Sequence, residues 1–92
     1  MQVSFSLEAV ADLESIERYV AEHSPAAASR LAVQLLAACD RLEFMPERGR
    51  PGQIAGTREV TTVWPYVILY QIEAGTVEIL RIRHGAQDRS GA

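Results

Sequence analysis

The chain has 92 residues, of which 48% are apolar and 23% charged, a composition that excludes a disordered chain and leaves room for one hydrophobic core. Its apolar runs are too short for a transmembrane helix. The N-terminus carries acidic residues where a signal peptide has basic ones. We therefore expect a single cytoplasmic domain over residues 1–92. The formal net charge of −3 argues against a general nucleic-acid binder, and the lone Cys39 excludes an internal disulfide and a Cys-based zinc site.

The first half of the chain predicts a short strand followed by two helices. Residues 1–5 alternate as a strand, and Ser6 is a residue type that caps helix N-termini. Apolar residues then recur at helical spacing over about residues 7–22, with acids largely on the other side. The apolar stripe of this first helix consists of Val10, Leu13, Ile16 and Val20.

A second helix is predicted to begin at Ser24 and Pro25, because serine caps and proline is pre-set for the first helical position. Its stripe of Ala28, Leu31, Leu35, Cys39 and Leu42 runs to about Phe44. We expect Cys39 to be a buried structural thiol on this stripe. The turn between the two helices is so short that they must fold back on each other as a hairpin.

The second half predicts a loop and three strands. Residues 46–52 contain two prolines and two glycines, which is typical of a loop. Three runs rich in β-branched and aromatic residues follow, at Thr57–Trp64, Tyr66–Ile72 and Thr76–His84. Short turns between these runs predict an antiparallel meander. The polar residues 85–92 are expected to form a flexible tail.

The last predicted strand presents two different faces, because successive side chains of a strand point in opposite directions. We expect Leu80 and Ile82 to meet the helices. The opposite face would then carry Val77, Ile79, Arg81 and Arg83, and it would be open to a partner.

All nine cations of the chain are arginines, and they are unevenly distributed. Residues 1–47 hold three arginines against eight acids, a balance of −5, whereas residues 48–92 hold six against four, a balance of +2. A guanidinium group binds phosphate or carboxylate through two parallel hydrogen bonds, which favours a working surface in the second half. The alternative is that these arginines make ordinary surface ion pairs, which contribute little.

The element order β-α-α-β-β-β predicts an α+β fold with a helical hairpin packed on an antiparallel sheet. In this order the residues resemble the RelE/ParE toxins of bacterial type II toxin-antitoxin systems, over about residues 5–88. The matching elements are Asp12-Leu13, Pro25 with its alanines, Pro46-Glu47-Arg48-Gly49-Arg50, Gly56-Thr57-Arg58-Glu59-Val60, Pro65-Tyr66-Val67-Ile68-Leu69-Tyr70 and Ile79-Leu80-Arg81-Ile82-Arg83-His84.

The resemblance implies a growth-arresting toxin that a cognate antitoxin holds silent in a toxin-antitoxin hetero-oligomer. It implies no cofactor, no metal and no membrane. The superfamily has two branches: RelE-like members cut messenger RNA on the ribosome, whereas ParE-like members poison DNA gyrase. A similar scaffold can serve either chemistry.

A nuclease would need cations for the phosphate charge and groups that transfer protons. Arg58, Arg81 and Arg83 are candidates for the first role, and His84 or Glu59 for the second. RelE-like enzymes usually carry lysines in the loop before the second strand and a basic residue followed by Tyr or His near the C-terminus. This chain has no lysine, no tyrosine after Tyr70, and a tail of Gly85-Ala86-Gln87-Asp88-Arg89. The sequence pI of about 5.3 also fits poorly with docking on ribosomal RNA. We therefore favour the ParE branch, with the nuclease as the alternative.

A gyrase inhibitor needs a recognition surface instead of catalytic residues. Candidates for binding the target or the antitoxin are Arg48, Arg50, Arg58, Trp64, Tyr66, Val77, Ile79, Arg81 and Arg83. Aromatic side chains often anchor interfaces, although these two rings could equally cover a sheet edge. A binding module without toxic activity is a third interpretation.

Overall fold

The computed structural model describes residues 1–85, and the rest of the expected tail lies outside them. The elements are β1 (Gln2–Phe5), α1 (Leu7–Ala21), α2 (Pro25–Asp40), a 3-10 turn (Arg41–Glu43), β2 (Arg50–Pro51), β3 (Thr57–Val60), β4 (Tyr66–Glu73) and β5 (Thr76–His84). Within residues 1–85, no helix combines the length and apolar character needed to cross a membrane.

The two helices pack on a five-stranded mixed sheet with the strand order β1-β5-β4-β3-β2. The strands β3, β4 and β5 form the predicted antiparallel meander, and β2 extends it. The N-terminal strand β1 instead pairs in parallel with the first half of β5. The predicted α+β fold is confirmed, and antiparallel pairing holds for every strand except β1.

Both helices begin at the predicted serine caps. The Ser6 hydroxyl accepts a hydrogen bond from the backbone N–H of Ala9 at 3.0 Å, and the Ser24 hydroxyl accepts one from Ala27 at 3.1 Å. Pro25 occupies the first turn of α2. Each cap satisfies one of the N–H groups that a helix leaves unpaired at its start.

The buried face of α1 follows the predicted stripe except at its first position, Val10. Ala9 is fully buried, and Leu13 and Ile16 pack against the core, but Val10 is 43% exposed. The buried face of α2 is the predicted one, with Leu35 and Cys39 fully buried. The smaller Ala9 therefore takes the inner position that had been predicted for Val10.

A β-bulge changes which side chains of β5 face the helices. Tyr70 pairs with Ile79 and Leu69 with Arg81, so Leu80 is the extra residue. One inserted residue reverses the alternation of a strand. The expectation of an open face carrying Val77 and Ile79 is therefore wrong, because both are fully buried.

The bulge also determines how deeply Leu80 and Ile82 are buried. Ile82 is buried against the helices as expected, whereas Leu80 is only partly buried. Two other boundaries also differ from the prediction. The strand expected over residues 57–64 ends at Val60, and the expected loop contains the short strand β2.

Candidate functional site

A groove of about 690 Å³ opens between α1 and the C-terminal half of β5. It exists because β1 pairs with β5 only as far as Ile79, after which Ser6 turns the chain into α1. The edge of β5 beyond that point faces a helix instead of a strand. The groove is lined by Asp12, Ser15, Ile16, Tyr19, Tyr66, Arg81, Ile82, Arg83 and His84.

Asp12 is the carboxylate in the groove lining, and it accepts three hydrogen bonds. Its Oδ2 accepts hydrogen bonds from Arg81 Nε at 2.7 Å and from the backbone N–H of Ile82 at 2.9 Å, and its Oδ1 accepts from Arg81 Nη2 at 3.0 Å. The bidentate arrangement is the strong form of an arginine-carboxylate pair. Asp12 thus satisfies a backbone donor at the strand edge and holds the guanidinium of Arg81.

These contacts decide the charge of Asp12. Burial acts to raise its pKa, but the hydrogen bonds from Arg81 and Ile82, together with the nearby positive charges of Arg81 and Arg83, hold the pKa below the usual 3.8. Asp12 is therefore ionised at neutral pH. In this structure it serves as the hydrogen-bond acceptor for Arg81 and for the N–H of Ile82.

The end of the groove is aromatic. Tyr66 of β4 pairs in register with His84 of β5, and their rings meet edge to face with centroids 5.6 Å apart. Burial, and secondarily the neighbouring Tyr19, raises the pKa of Tyr66 above 10, so its phenol stays protonated.

Arg83 makes no hydrogen bond or ion pair with any of residues 1–85. The groove end therefore offers an available guanidinium beside aromatic walls.

Arg58 lies in a different part of the molecule, against the loop of residues 46–52. Its Nη1 donates to the carbonyl oxygens of Gly49 at 2.9 Å and Glu47 at 3.2 Å. Beside it, Arg50 pairs with the buried carboxylate of Glu59, with Nη2 and Oε1 3.1 Å apart. Arg58 and Glu59 do not line the groove, so the candidate nuclease residues do not form a single cluster.

The other predicted binding residues have varied surroundings. Trp64, in the β3–β4 loop, is 77% exposed, so it covers little of the sheet edge. Arg48 is exposed and has no side-chain partner among residues 1–85. Val77 and Ile79 belong to the hydrophobic core and are unavailable to a partner in this fold.

The sequence interpretation missed Asp12 and Tyr19 as residues of the site. Asp12 had been assigned to the outer side of α1, yet it stands three residues after Ala9 and four before Ile16, so it borders the inner face. That spacing was the available signal. Within residues 1–85 there is no group of three or more His, Cys, Asp or Glu side chains that could hold a metal ion.

The chain is similar in sequence to toxins of other bacteria. The model of the ParE toxin family, from the type II toxin-antitoxin system parDE, matches residues 3–89. Toxin RelE2 of Caulobacter vibrioides is 46% identical over 86 residues, covering 94% of this chain and 97% of the relative.

Two solved structures share the fold. One is the chromosomal ParDE toxin-antitoxin system of P. aeruginosa, with a TM-score of 0.81 and 26% identity over 91% of this chain and 95% of the other. The second is the RelBE2 toxin-antitoxin complex of Mycobacterium tuberculosis, with a TM-score of 0.60 and 28% identity over 90% of this chain and 88% of the other.

Proposed function

Because the chain belongs to the ParE toxin family of type II toxin-antitoxin systems, we propose that it arrests growth by inhibiting DNA gyrase and that a cognate antitoxin neutralises it. Gyrase inhibition requires binding to a large enzyme and no bond-breaking chemistry by the toxin. We place its action in the cytoplasm, where gyrase works.

The internal pairing of the candidate catalytic arginines carries this proposal. Arg81 is held by Asp12, and Arg58 is held by two backbone carbonyls. Cleavage of RNA by its own 2′-hydroxyl requires a base, an acid and cations around one phosphate. Separation of Arg58 and Glu59 from the groove leaves that set incomplete, which favours a binding mechanism.

Messenger RNA cleavage on the ribosome is the second candidate, and one observation favours it. His84, Arg81 and Arg83 line the same groove, so a phosphate beside Arg83 would lie near an imidazole. The relative named Toxin RelE2 bears the name of that branch.

The antitoxin is proposed to contact the groove between α1 and β5. Both solved neighbours are toxin-antitoxin systems, which supports a hetero-oligomer with a cognate antitoxin. An acidic antitoxin segment would find the available guanidinium of Arg83 next to Tyr66 and Tyr19. Aromatic and arginine side chains are the usual anchors of such interfaces.

Induction of the chain alone in bacteria tests the function, with co-expression of the antitoxin as the control. We expect growth arrest with altered plasmid topology and a DNA-damage response, and inhibition of supercoiling by purified gyrase. Intact plasmid topology together with messenger RNA cut within codons would support the nuclease instead. Normal growth without antitoxin would identify a module without toxic activity.

A further inference from the structure

The outer face of α2 is exposed although it carries large apolar side chains. The buried residues of this helix are Ala28, Leu35, Ala38 and Cys39. On the opposite side, Val33 is 66% exposed and Leu36 is 39% exposed. Just beyond the 3-10 turn that follows the helix, Phe44 is 82% exposed. Exposed apolar side chains grouped in this way mark an interaction surface.

The residues of this outer face recur at alternating intervals of four and three, the spacing of a helix that packs lengthwise along another helix. Side chains at these intervals lie on one side of a helix. The backbone is still helical at Phe44, with φ −99° and ψ −25°, so the row continues past the end of α2. We call the following residues the outer row: Ala26, Arg30, Val33, Ala37, Asp40 and Phe44. Ala37 is half-buried, and the other five are exposed.

The outer row is complementary to itself when a second copy lies antiparallel to it. A twofold axis at the middle of the row, between Val33 and Ala37, places these two residues opposite each other across the two copies. The same axis places Arg30 opposite Asp40, and the large Phe44 opposite the small Ala26. Twofold symmetry makes every such contact twice. The arrangement therefore gives two pairs of opposite charge and four apolar contacts.

The charges of the outer row are available for this pairing. Neither Arg30 nor Asp40 makes a side-chain hydrogen bond or ion pair with any of residues 1–85. Residues 25–44 contain two arginines and two acids, so the segment has no net charge to attract a strongly acidic or basic partner. Opposite charges at mirrored positions instead favour an identical surface and fix the register of the pair.

We propose that the outer row is a self-association surface, through which two copies of this chain form a twofold-symmetric dimer with their α2 helices antiparallel. Val33 and Ala37 form the centre of the contact, and the pairs of Arg30 with Asp40 flank it. Among residues 1–85, the groove beside β5 contains no residue of α2. The dimer surface therefore shares no residue with the proposed antitoxin site, and it does not depend on which target the toxin inhibits.

Analytical ultracentrifugation of the full chain without antitoxin tests this surface. We expect the wild type to dimerise as its concentration rises. Arg30→Glu should weaken the dimer at least tenfold, because it places a carboxylate opposite Asp40 of the other copy. Arg18→Glu, at an exposed position of α1, is the matched control and should dimerise like wild type. A wild-type chain that stays monomeric, or an Arg30→Glu chain that dimerises normally, would overturn the proposal.

A charge exchange tests the antiparallel register. Asp40→Arg alone should weaken the dimer as much as Arg30→Glu does, because it places two arginines opposite each other. A mixture of the two single variants should form a mixed dimer within threefold of wild-type affinity, since every pair then joins opposite charges. A chain carrying both substitutions should recover in the same way, which also shows that the substituted chains fold. Lost dimerisation without recovery in either case would reject this register.

Phe44→Ser tests the apolar ends of the contact. The side chain of Phe44 is largely exposed in a single copy, so its removal should leave the stability of the monomer nearly unchanged. We expect the dimer to weaken at least fivefold, because the contact with Ala26 of the other copy is lost twice. Ile54→Ser is the control, since Ile54 is 66% exposed in the loop between β2 and β3. Equal dimer affinities of the two variants would place Phe44 outside the interface and contradict the proposed pairing.

Discussion

The arginines of residues 48–85 differ in whether another group already binds their guanidinium. Within residues 1–85, Arg50 and Arg81 are paired with acids and Arg58 with backbone carbonyls. Arg48 has no such partner, and Arg83 acts on Asp12 through its charge without a hydrogen bond or salt bridge. A guanidinium already held by a carboxylate or by carbonyl oxygens must lose those bonds before it binds a ligand, so among the arginines of residues 48–85 Arg48 and Arg83 are the ones left available for recognition.

The thiol of Cys39 shows how burial removes reactivity. Burial, together with the neighbouring charge of Asp40, raises its pKa to about 12. The thiolate is the reactive form of cysteine, and it is scarce at neutral pH when the pKa is that high. The prediction of a buried structural thiol is confirmed.

Asp12→Asn should make the stability of the protein less dependent on acid pH. The folded pKa of Asp12 lies below its usual value, so its stabilising effect is complete above about pH 4 and is lost as pH falls through the folded pKa. We expect the variant to be less stable at pH 7 by about 1–2 kcal/mol. The difference from wild type should shrink in more acidic buffer, measured by urea unfolding at both pH values.

Glu14→Gln is the matched control for Asp12→Asn, because Glu14 is exposed on the same helix. It should change stability little at either pH. An Asp12→Asn penalty of the same size at neutral and acid pH would show that ionisation of Asp12 does not matter.

At the scale of the elements, α1 is attached to β5 at the point where β1 ends. The Ser6 hydroxyl caps α1 and also donates to the carbonyl of Leu80 at 2.8 Å, and Ser6 N–H donates to the carbonyl of Ile79 at 2.9 Å. Six residues later, Asp12 binds the N–H of Ile82. The edge of β5 at the end of β1 and beyond is thus hydrogen-bonded by Ser6 and Asp12.

Ser6→Ala should destabilise the protein more than Ser24→Ala does. Loss of a serine cap costs about 0.5–2 kcal/mol, and both changes remove one. Ser6→Ala also leaves the part-buried carbonyl of Leu80 without its donor, which adds about 1 kcal/mol or more. Urea unfolding of the two variants gives the comparison, and equal losses would mean that the bond to Leu80 contributes nothing.

At the scale of the whole molecule, acids predominate in residues 1–47 and arginines in residues 48–92. Half of the twelve acids lie in α1, α2 and the 3-10 turn, and the strands and loops carry Arg48 and Arg83. Arg48 lies in the loop that leads into β2 at one edge of the sheet, whereas Arg83 lines the groove beside β5.

Arg83→Glu should weaken antitoxin binding at least tenfold, because it places a negative charge where we expect an acidic segment. Calorimetry at low and high salt is the measurement. Raising the ionic strength from about 0.1 M to about 1 M should weaken the wild-type complex more than the variant, since screening acts on the attraction that the variant lacks.

Arg41→Glu, on the 3-10 turn, is the control for this change, and its affinity should match wild type. An Arg83→Glu protein that binds as tightly as wild type would remove the groove from the antitoxin interface. Arg81→Glu is a poorer test than was expected from the sequence, because it would place a second carboxylate beside Asp12 and disturb the fold.

Much of the fold was predictable because it depends on local chemistry. The caps at Ser6 and Ser24, the stripe of α2 and the antiparallel meander follow from residue type and spacing, and all were confirmed. The limits of α2 and β3 were less accurate, since helix and strand ends depend on tertiary contacts. The candidate site was only partly predictable: Tyr66, Arg81, Arg83 and His84 do share a groove, but Asp12 was missed.

The sequence by itself determined the order of the elements, the helical hairpin, the toxin family and the concentration of arginines in the second half, because each is a property of residue types along the chain. Only the tertiary structure decided which arginines remain available. Alternation along β5 could not reveal the bulge at Leu80, which depends on pairing with β4 and buries Val77 and Ile79. Likewise, the partners of Arg58 and Arg81 lie on other elements, and only the packed fold brings them within hydrogen-bonding distance.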